Sequence, residues 1–202
     1  MAPVIPDPRT IKTFKSQEAF ETWMARNHAR ETELWLKIHK KGSGAPSVTH
    51  AEALDVALCW GWIDGLRKSF DERSFLQRFT PRQVRSLWSQ VNRDHIARLT
   101  AAGRMTPHGQ HQVDIAKADG RWAAAYAPIR SASEASIPDD LRAAIKKSPR
   151  AFKIYKTLSR MNFFAMTFRV NNMKTAAGRT KKIATLVAML ERGETIVPEK
   201  GR

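Results

Sequence analysis

The sequence has very little cysteine: Cys59 is the only one in 202 residues. A single cysteine excludes an intrachain disulfide and fits a reducing compartment. No run of about 18 apolar residues occurs, so no transmembrane helix is expected. The opening MAPVIPDPRTIKTFK lacks a charged leader followed by an apolar block, so no signal peptide is expected either. These features lead to the expectation of a cytoplasmic protein. His-Glu-x-x-His, Gly-x-Gly-x-x-Gly, the phosphate loop and the Gly-x-Ser-x-Gly elbow are all missing. His108 and His111 stand three apart on a predicted helix, but no third ligand is evident and one cysteine cannot build the usual zinc site. No metal or cofactor is therefore expected.

What is present is charge of one sign. Lys and Arg number 35 against 19 Asp and Glu, a net +16. Residues 137–202 hold 15 basic and 5 acidic residues, net +10, which leaves net +6 for residues 1–136. Such a field attracts polyanions, whether nucleic acid, anionic lipid headgroups or acidic proteins; it also serves simply to keep a protein soluble. An apolar fraction of 42% is that of an ordinary globular chain.

Periodicity divides the chain into elements. SQEAFETWMARNH reads as a helix capped by Ser16, with Phe20, Trp23, Met24 and Asn27 on one face. ETELWLKIHKK alternates as a half-buried strand, Leu34, Leu36 and Ile38 inward, Trp35, Lys37 and His39 outward. Thr49 and Glu52 have capping-box spacing, followed by a narrow apolar stripe of Leu54, Ala57, Leu58 and Gly61. WIDGLRKSF and SFLQRFT, split by Asp71-Glu72-Arg73, predict a β-hairpin stopped at Thr80-Pro81. A long helix is predicted from about Ser86 to Ala102, with Trp88, Val91 and Leu99 on its apolar side and Gly103 as its stop. Another runs from Thr106-Pro107 to Asp119-Gly120. Residues 127–136 read as a linker. Beyond it Pro138 at a first helical position, Ser148-Pro149, NFFAMTFRVNNM and TKKIATLVAMLERG predict three or four short helices. The expected architecture is α+β: a core domain over 1–126 with a small antiparallel-containing sheet packed with helices, then a basic helical subdomain over 137–202.

The chemistry concentrates in the tract Ala53 to Asn92. Trp62, Asp64, Arg67, Arg78, Trp88 and Asn92 lie close together in it, with Asp64 on the face of Trp62 and Arg67 opposite. Aspartate and arginine beside indoles can bind a carboxylate or phosphate ligand; the same groups can equally be an ion pair that fixes the hairpin. Cys59 ends an apolar helix and reads as a small buried hydrophobe, since no spacing brings His28, His39 or His50 to it as a base. In the basic end, Lys146, Lys147, Arg150, Lys153 and Lys156, then Arg179, Lys181 and Lys182, offer an anion-binding surface, with 146, 150 and 153 on one helical face. Phe163, Phe164 and Phe168 read as core.

FKSQEAFETWMARNH, ELWLKIHKKGSG, EALDVALCWGWIDGLRKSFDERSFLQRFTPR, SLWSQVN, GRM, DGRWAAAY, IPDDLRAAIKKSPRAF and RTKKIATLVAMLERG occur in that order over residues 12–193. In this the chain resembles the bacterial YdeI/OmdA family, labelled bacteriocin-protection or OmpD-associated. Two positions depart from that pattern: Gln83-Val84 where a Lys-Pro is usual, and Gly178-Arg179 where a Thr is expected before the Arg. The first change is expected to let the following helix begin earlier, and Gly178 to act as a cap. The resemblance implies a stress or defence role against bacteriocins or antimicrobial peptides, and supplies no catalytic residues. The resulting expectation is a non-enzymatic tolerance protein that binds a ligand or partner at Trp62–Asn92. The alternatives are an enzyme with an acid/base pocket at Asp64 and Arg67, and a nucleic-acid or anionic-surface binder acting through the terminal helices.

Overall fold

The computed structural model describes residues 6–199. The chain forms two compact units, Met1–Ala125 and Tyr126–Arg202. Among the described residues there are eight α-helices and one four-stranded mixed sheet, an α+β architecture.

In the first unit the order is β1 (Ile11–Lys12), α1 (Gln17–Asn27), β2 (Leu34–His39), α2 (His50–Cys59), β3 (Trp62–Asp71), β4 (Ser74–Pro81), α3 (Gln90–Ala101) and α4 (Pro107–Ala118). The strands lie in the order β1-β2-β4-β3, with β1 parallel to β2 and the other pairs antiparallel. Register puts Leu34, Leu36 and Ile38 on the same face as Phe75, Gln77 and Phe79. That face packs against Phe20 and Met24 of α1 and Ala53, Val56 and Ala57 of α2. The other side of α2 presents Leu54, Leu58 and Cys59 to a second core made by Trp88, Ile96, Leu99, Val113 and Ala116.

Sandwiched in this way, α2 is buried at every position from Ala53 to Cys59, so its apolar surface is a full circumference and not the narrow stripe expected. The capping box of Thr49 and Glu52 starts it as predicted, with both reciprocal hydrogen bonds present. Asp55 is the polar exception within the buried run. It accepts hydrogen bonds from Arg98 (2.6 and 2.7 Å) and lies 2.8 Å from His95 Nδ1, all across to α3.

Several local expectations need correction. Trp35 was placed on the outward face of β2, yet it is fully buried; β2 is an interior strand, with Ile11 and Arg78 flanking Trp35 in the sheet. The helix expected from Ser86 begins at Gln90, because Ser89 is in extended conformation and its hydroxyl caps the helix by accepting from Asn92 N–H. Trp88 therefore precedes the helix, and Gln83-Val84 does not advance its start. Gly178 is inside its helix, and Thr175 is the cap. Pro138 stands at the N-cap, one place before the first helical residue.

The β3–β4 hairpin turns on Glu72-Arg73. A β-bulge between Asp64 and Arg67 adds one residue to β3, so Asp64 opposes Phe79 while Arg67 opposes Gln77. Phe79 and Gln77 share a face. Arg67 is thereby returned to the face of Asp64, where simple alternation had put it opposite. Gln77, almost fully buried, stitches the bulge: its amide donates to the carbonyls of Gly65 (3.0 Å) and Leu66 (3.3 Å) and accepts from Arg67 Nε (3.2 Å).

The second unit contains α5 (Asp139–Lys146), α6 (Pro149–Tyr155), α7 (Arg160–Asn171) and α8 (Ala176–Glu191), preceded by one-turn 3-10 helices at Ile129–Ser131 and Glu134–Ser136. Residues 127–136 contain both of these turns, and Ala132 is buried. Ile137, Leu141, Ile145, Ala151, Tyr155, Met166, Val170, Leu186 and Leu190 make a separate core. Ser148 caps α6 and Pro149 is its first residue, as the sequence predicts.

Candidate functional site

A cleft of about 480 Å³ opens in the first unit where four chain segments meet. His28 follows α1, Trp60-Gly61-Trp62 join α2 to β3, Pro81-Arg82 end β4, and Pro107, His108, His111 and Gln112 belong to the first turns of α4.

Two glycines allow this meeting. Gly61 has φ +75°, the left-handed conformation that ends α2, and a Cβ there would stand 3.0 Å from the His108 carbonyl oxygen. Gly109 sits against the carbonyl end of α2: a Cβ would collide with the Cys59 carbonyl and reach 2.7 Å from Leu58 O. Thr106 completes the junction, its hydroxyl capping α4 by accepting from Gly109 N–H and donating to Cys59 O at 2.6 Å. Arg82 N–H donates to Gly61 O (2.9 Å) and so ties the end of β4 to the same turn.

The walls are aromatic. The rings of His28 and His108 lie 4.1 Å apart, His28 and Trp60 4.7 Å, and Trp60 and His108 5.9 Å at an interplanar angle of 18°. Trp62 is buried; its indole N–H donates to His28 O (3.2 Å) and it meets Trp23 edge-on. Arg82 is only 6% exposed, its guanidinium lying 3.6 Å from the Trp88 ring centroid and donating to Leu87 O at 3.3 Å. His28 Nε2 and Trp60 Nε1 are buried and have no protein hydrogen-bond partner.

Such a site suits recognition better than nucleophilic chemistry. Cys59 lies in the adjoining core, where burial pushes its thiol up to about 11, so a thiolate is scarce at neutral pH. Among the described residues no three His, Cys, Asp or Glu side chains are grouped to hold a metal ion.

Of the six residues singled out in the central tract, Trp62 lines this cleft and the others are placed elsewhere. Asp64 Oδ2 lies 3.1 Å from His50 Nε2, at the start of α2. Arg67 pairs with Gln77 and lies over the Phe75 ring at 4.4 Å. Arg78 forms an ion pair with Glu33 (2.8 Å). Trp88 is buried beneath Arg82, and Asn92 belongs to the first turn of α3. Asp64 and Arg67 thus share a face but each has its own partner.

The basic residues of the second unit divide similarly. Lys146 ends α5, whereas Arg150 and Lys153 belong to α6, so the three do not form one helical stripe; the chain breaks helix at Lys147-Ser148. Arg179 clamps α8 to α5 through Asp140 (2.6 and 2.9 Å) and also donates to Val170 O. Lys181 is exposed and Lys182 half-buried on α8. Phe163 packs edge-on against Tyr155, and Phe164 and Phe168 pack with Tyr126.

Sequence reasoning missed His28, Trp60, Arg82 and His108 as companions. The usable signals were the glycine between two tryptophans and the His-x-x-His at the start of a capped helix, whose first turn faces the end of α2.

Two family models match the chain. One, "Domain of unknown function (DUF8412)", spans residues 12–112, and with it every cleft segment just described and the tract from Ala53 to Asn92. The other, "Bacteriocin-protection, YdeI or OmpD-Associated", spans residues 134–193 in the second unit. No curated protein and no solved structure matches the chain. The chain belongs to the family of that domain of unknown function and carries the bacteriocin-protection, YdeI or OmpD-associated (OmdA) domain after it.

Proposed function

We propose that the first unit binds a small, largely planar ligand in the cleft at Trp60, His28 and His108, and that this binding serves a cytoplasmic tolerance or stress role. The OmdA domain suggests a bacteriocin-protection-associated role for the chain. The observation that carries the ligand reading is the junction of three aromatic rings lining an open cleft. Aromatic faces with a few convergent polar groups are the usual composition of a small-molecule site. Tryptophan fluorescence and the imidazole proton signals of His28, His108 and His111 report on it directly. A fragment set of planar, aliphatic, anionic and cationic compounds is titrated into the full chain. Binders that move the His108 signals and weaken about tenfold in Trp60→Leu support the reading. If no compound moves these signals, the cleft is not a binding site.

A second reading concerns the second unit. Lys146, Arg150, Lys153 and Lys181 are exposed, and none has a carboxylate within ion-pair distance among the described residues. Cations of this kind can neutralise phosphates of a nucleic acid. Elution of the chain from immobilised duplex DNA measures it: the double substitution Arg150→Gln and Lys153→Gln should lower the salt slope by about 2. Elution at low salt, unchanged by the substitutions, rules this reading out.

A further inference from the structure

The first unit has a second opening, which shares no lining residue with the aromatic cleft. Residues 40–44, which follow β2, lie across a groove of about 350 Å³ from Glu72 and Arg73 at the hairpin turn. The two sides are tied together: Lys40 N–H donates to Arg73 O (2.8 Å) and Lys40 Nζ to Glu72 O (3.1 Å). Ser43 N–H returns to Lys40 O (3.1 Å), so the loop is folded into its turn before any ligand arrives. Gly42 and Gly44 have no side chain, so it is their backbone that lines the groove, and a Cβ on either would meet nothing within 4 Å. Among the described residues, the N–H groups of Lys41, Gly42 and Gly44 make no hydrogen bond.

Charge at this groove is positive. Lys41 and Arg73 are exposed, and among the described residues neither is in an ion pair. An adjoining groove of about 420 Å³ shares Ser43, Glu72 and Arg73 and adds Lys37 and Asp71, which offset each other at 3.4 Å. Lys40, Lys41 and Arg73 then stand against Glu72 alone, three positive charges to one negative. We infer that this groove binds the phosphate group of a phosphomonoester. Such a group carries a charge of about −1.5 to −2 near pH 7 and three oxygens that accept hydrogen bonds. An ammonium, a guanidinium and unengaged backbone N–H groups are all donors, and a phosphate dianion can use several of them together. A carboxylate or a phosphodiester brings a single charge and is the weaker match. Glu72 opposes any anion here, which gives the site a test of its own.

Methyl phosphate, dimethyl phosphate and acetate, titrated separately into the full chain at about pH 7.5, test this. Amide proton–nitrogen spectra follow Gly42 and Gly44 directly. Methyl phosphate should shift both signals saturably, and dimethyl phosphate and acetate should bind at least about fivefold more weakly. Lys41→Gln and Arg73→Gln should each weaken methyl phosphate by about fivefold. Lys41→Arg keeps the charge and should retain most of the affinity, whereas Glu72→Gln should tighten binding. These side chains are exposed, so the variants should melt with the wild type. Lys146→Gln, in the second unit, should leave the titration unchanged. The inference is overturned if the Gly42 and Gly44 signals do not move with methyl phosphate. It is equally overturned if the three anions bind alike, or if affinity survives the combined loss of Lys41 and Arg73. Binding that weakens in Lys146→Gln but not in Lys41→Gln places the phosphate on the second unit and rejects this groove.

Discussion

The two units differ in the chemistry they hold and in how they hold it. All six tryptophans, all six histidines and the one cysteine fall in residues 1–125. Residues 126–202 have none of these, but carry 16 Lys and Arg against 6 Asp and Glu. The first unit buries polar groups between layers: Asp55 under Arg98, Gln77 inside the bulge, His28 beside the cleft. The second places its charges outward and ties helix to helix with an ion pair, Asp140 to Arg179. Groups able to accept, donate and exchange protons near neutrality are thus confined to one unit, while the other is equipped for long-range attraction. The lesson is a division of chemistry: indole, imidazole and thiol groups collect in the first unit, and most of the excess positive charge in the second.

The largest test of this contrast is Gly109→Ala. The added methyl meets the carbonyl end of α2, so the α2–α4 junction must move apart, with a loss of about 3 kcal/mol. Near-UV dichroism, dominated by tryptophans that only the first unit contains, should collapse while part of the helical far-UV signal persists. Full retention of the near-UV signal would show that the junction is not tightly packed.

Asp55 comes next. Burial raises its carboxyl, but hydrogen bonds from Arg98 and His95 together outweigh this and hold it below the ordinary carboxylate range. A carboxyl lowered in the folded state stabilises at pH above its unfolded value, near 4, and that contribution disappears as pH falls through the lowered value. Asp55→Asn should therefore cost about 2 kcal/mol at pH 7 and melt with a flatter pH dependence than the wild type between pH 5 and pH 2 (roughly the span over which such a group titrates). Parallel pH profiles for the two proteins would contradict this assignment.

Gln77→Leu keeps the volume but strips the bulge of its amide, and about 1 kcal/mol should be lost. Amide exchange at the β3 bulge should accelerate, and an unchanged rate would mean that the bulge holds without Gln77. The smallest effect is expected in the second unit. Ser159 makes no side-chain cap for α7; instead Glu199 accepts from Ser159 N–H (2.7 Å) and from Asn162 Nδ2 (2.7 Å), anchoring the segment at Val197. Glu199→Gln retains an oxygen but not the charge, so it should lower stability by about 0.5 kcal/mol, leaving tryptophan fluorescence as in the wild type. A change in that fluorescence would break the separation drawn between the units.

Much of the fold was legible because it follows local rules. Ser16, Thr49, Thr106 and Ser148 each announced a helix start, and each caps one. Alternation located β2, and Asp71-Glu72-Arg73 located the hairpin turn. The site was less legible. Trp62 stood out within its tract, but His28, Arg82 and His108 are separated from it by 20 residues or more in sequence (Trp62 Nε1 reaches His28 O across 34 positions). Only packing brings them together.

The amino-acid sequence by itself determined the α+β class, the positions of most helices and strands and the basic excess toward the carboxyl end. Each of these depends on spacing, capping or composition within a few residues. The tertiary structure alone decided the face on which Arg67 lies, because one extra residue in a bulge reverses alternation, and a bulge is defined only by its partner strand. It also decided that α2 is buried on all sides, and that the end of this helix, the start of α4 and His28 enclose one cleft. Those outcomes depend on backbone-to-backbone approach at Gly61 and Gly109, a property of two segments in contact and not of either one alone.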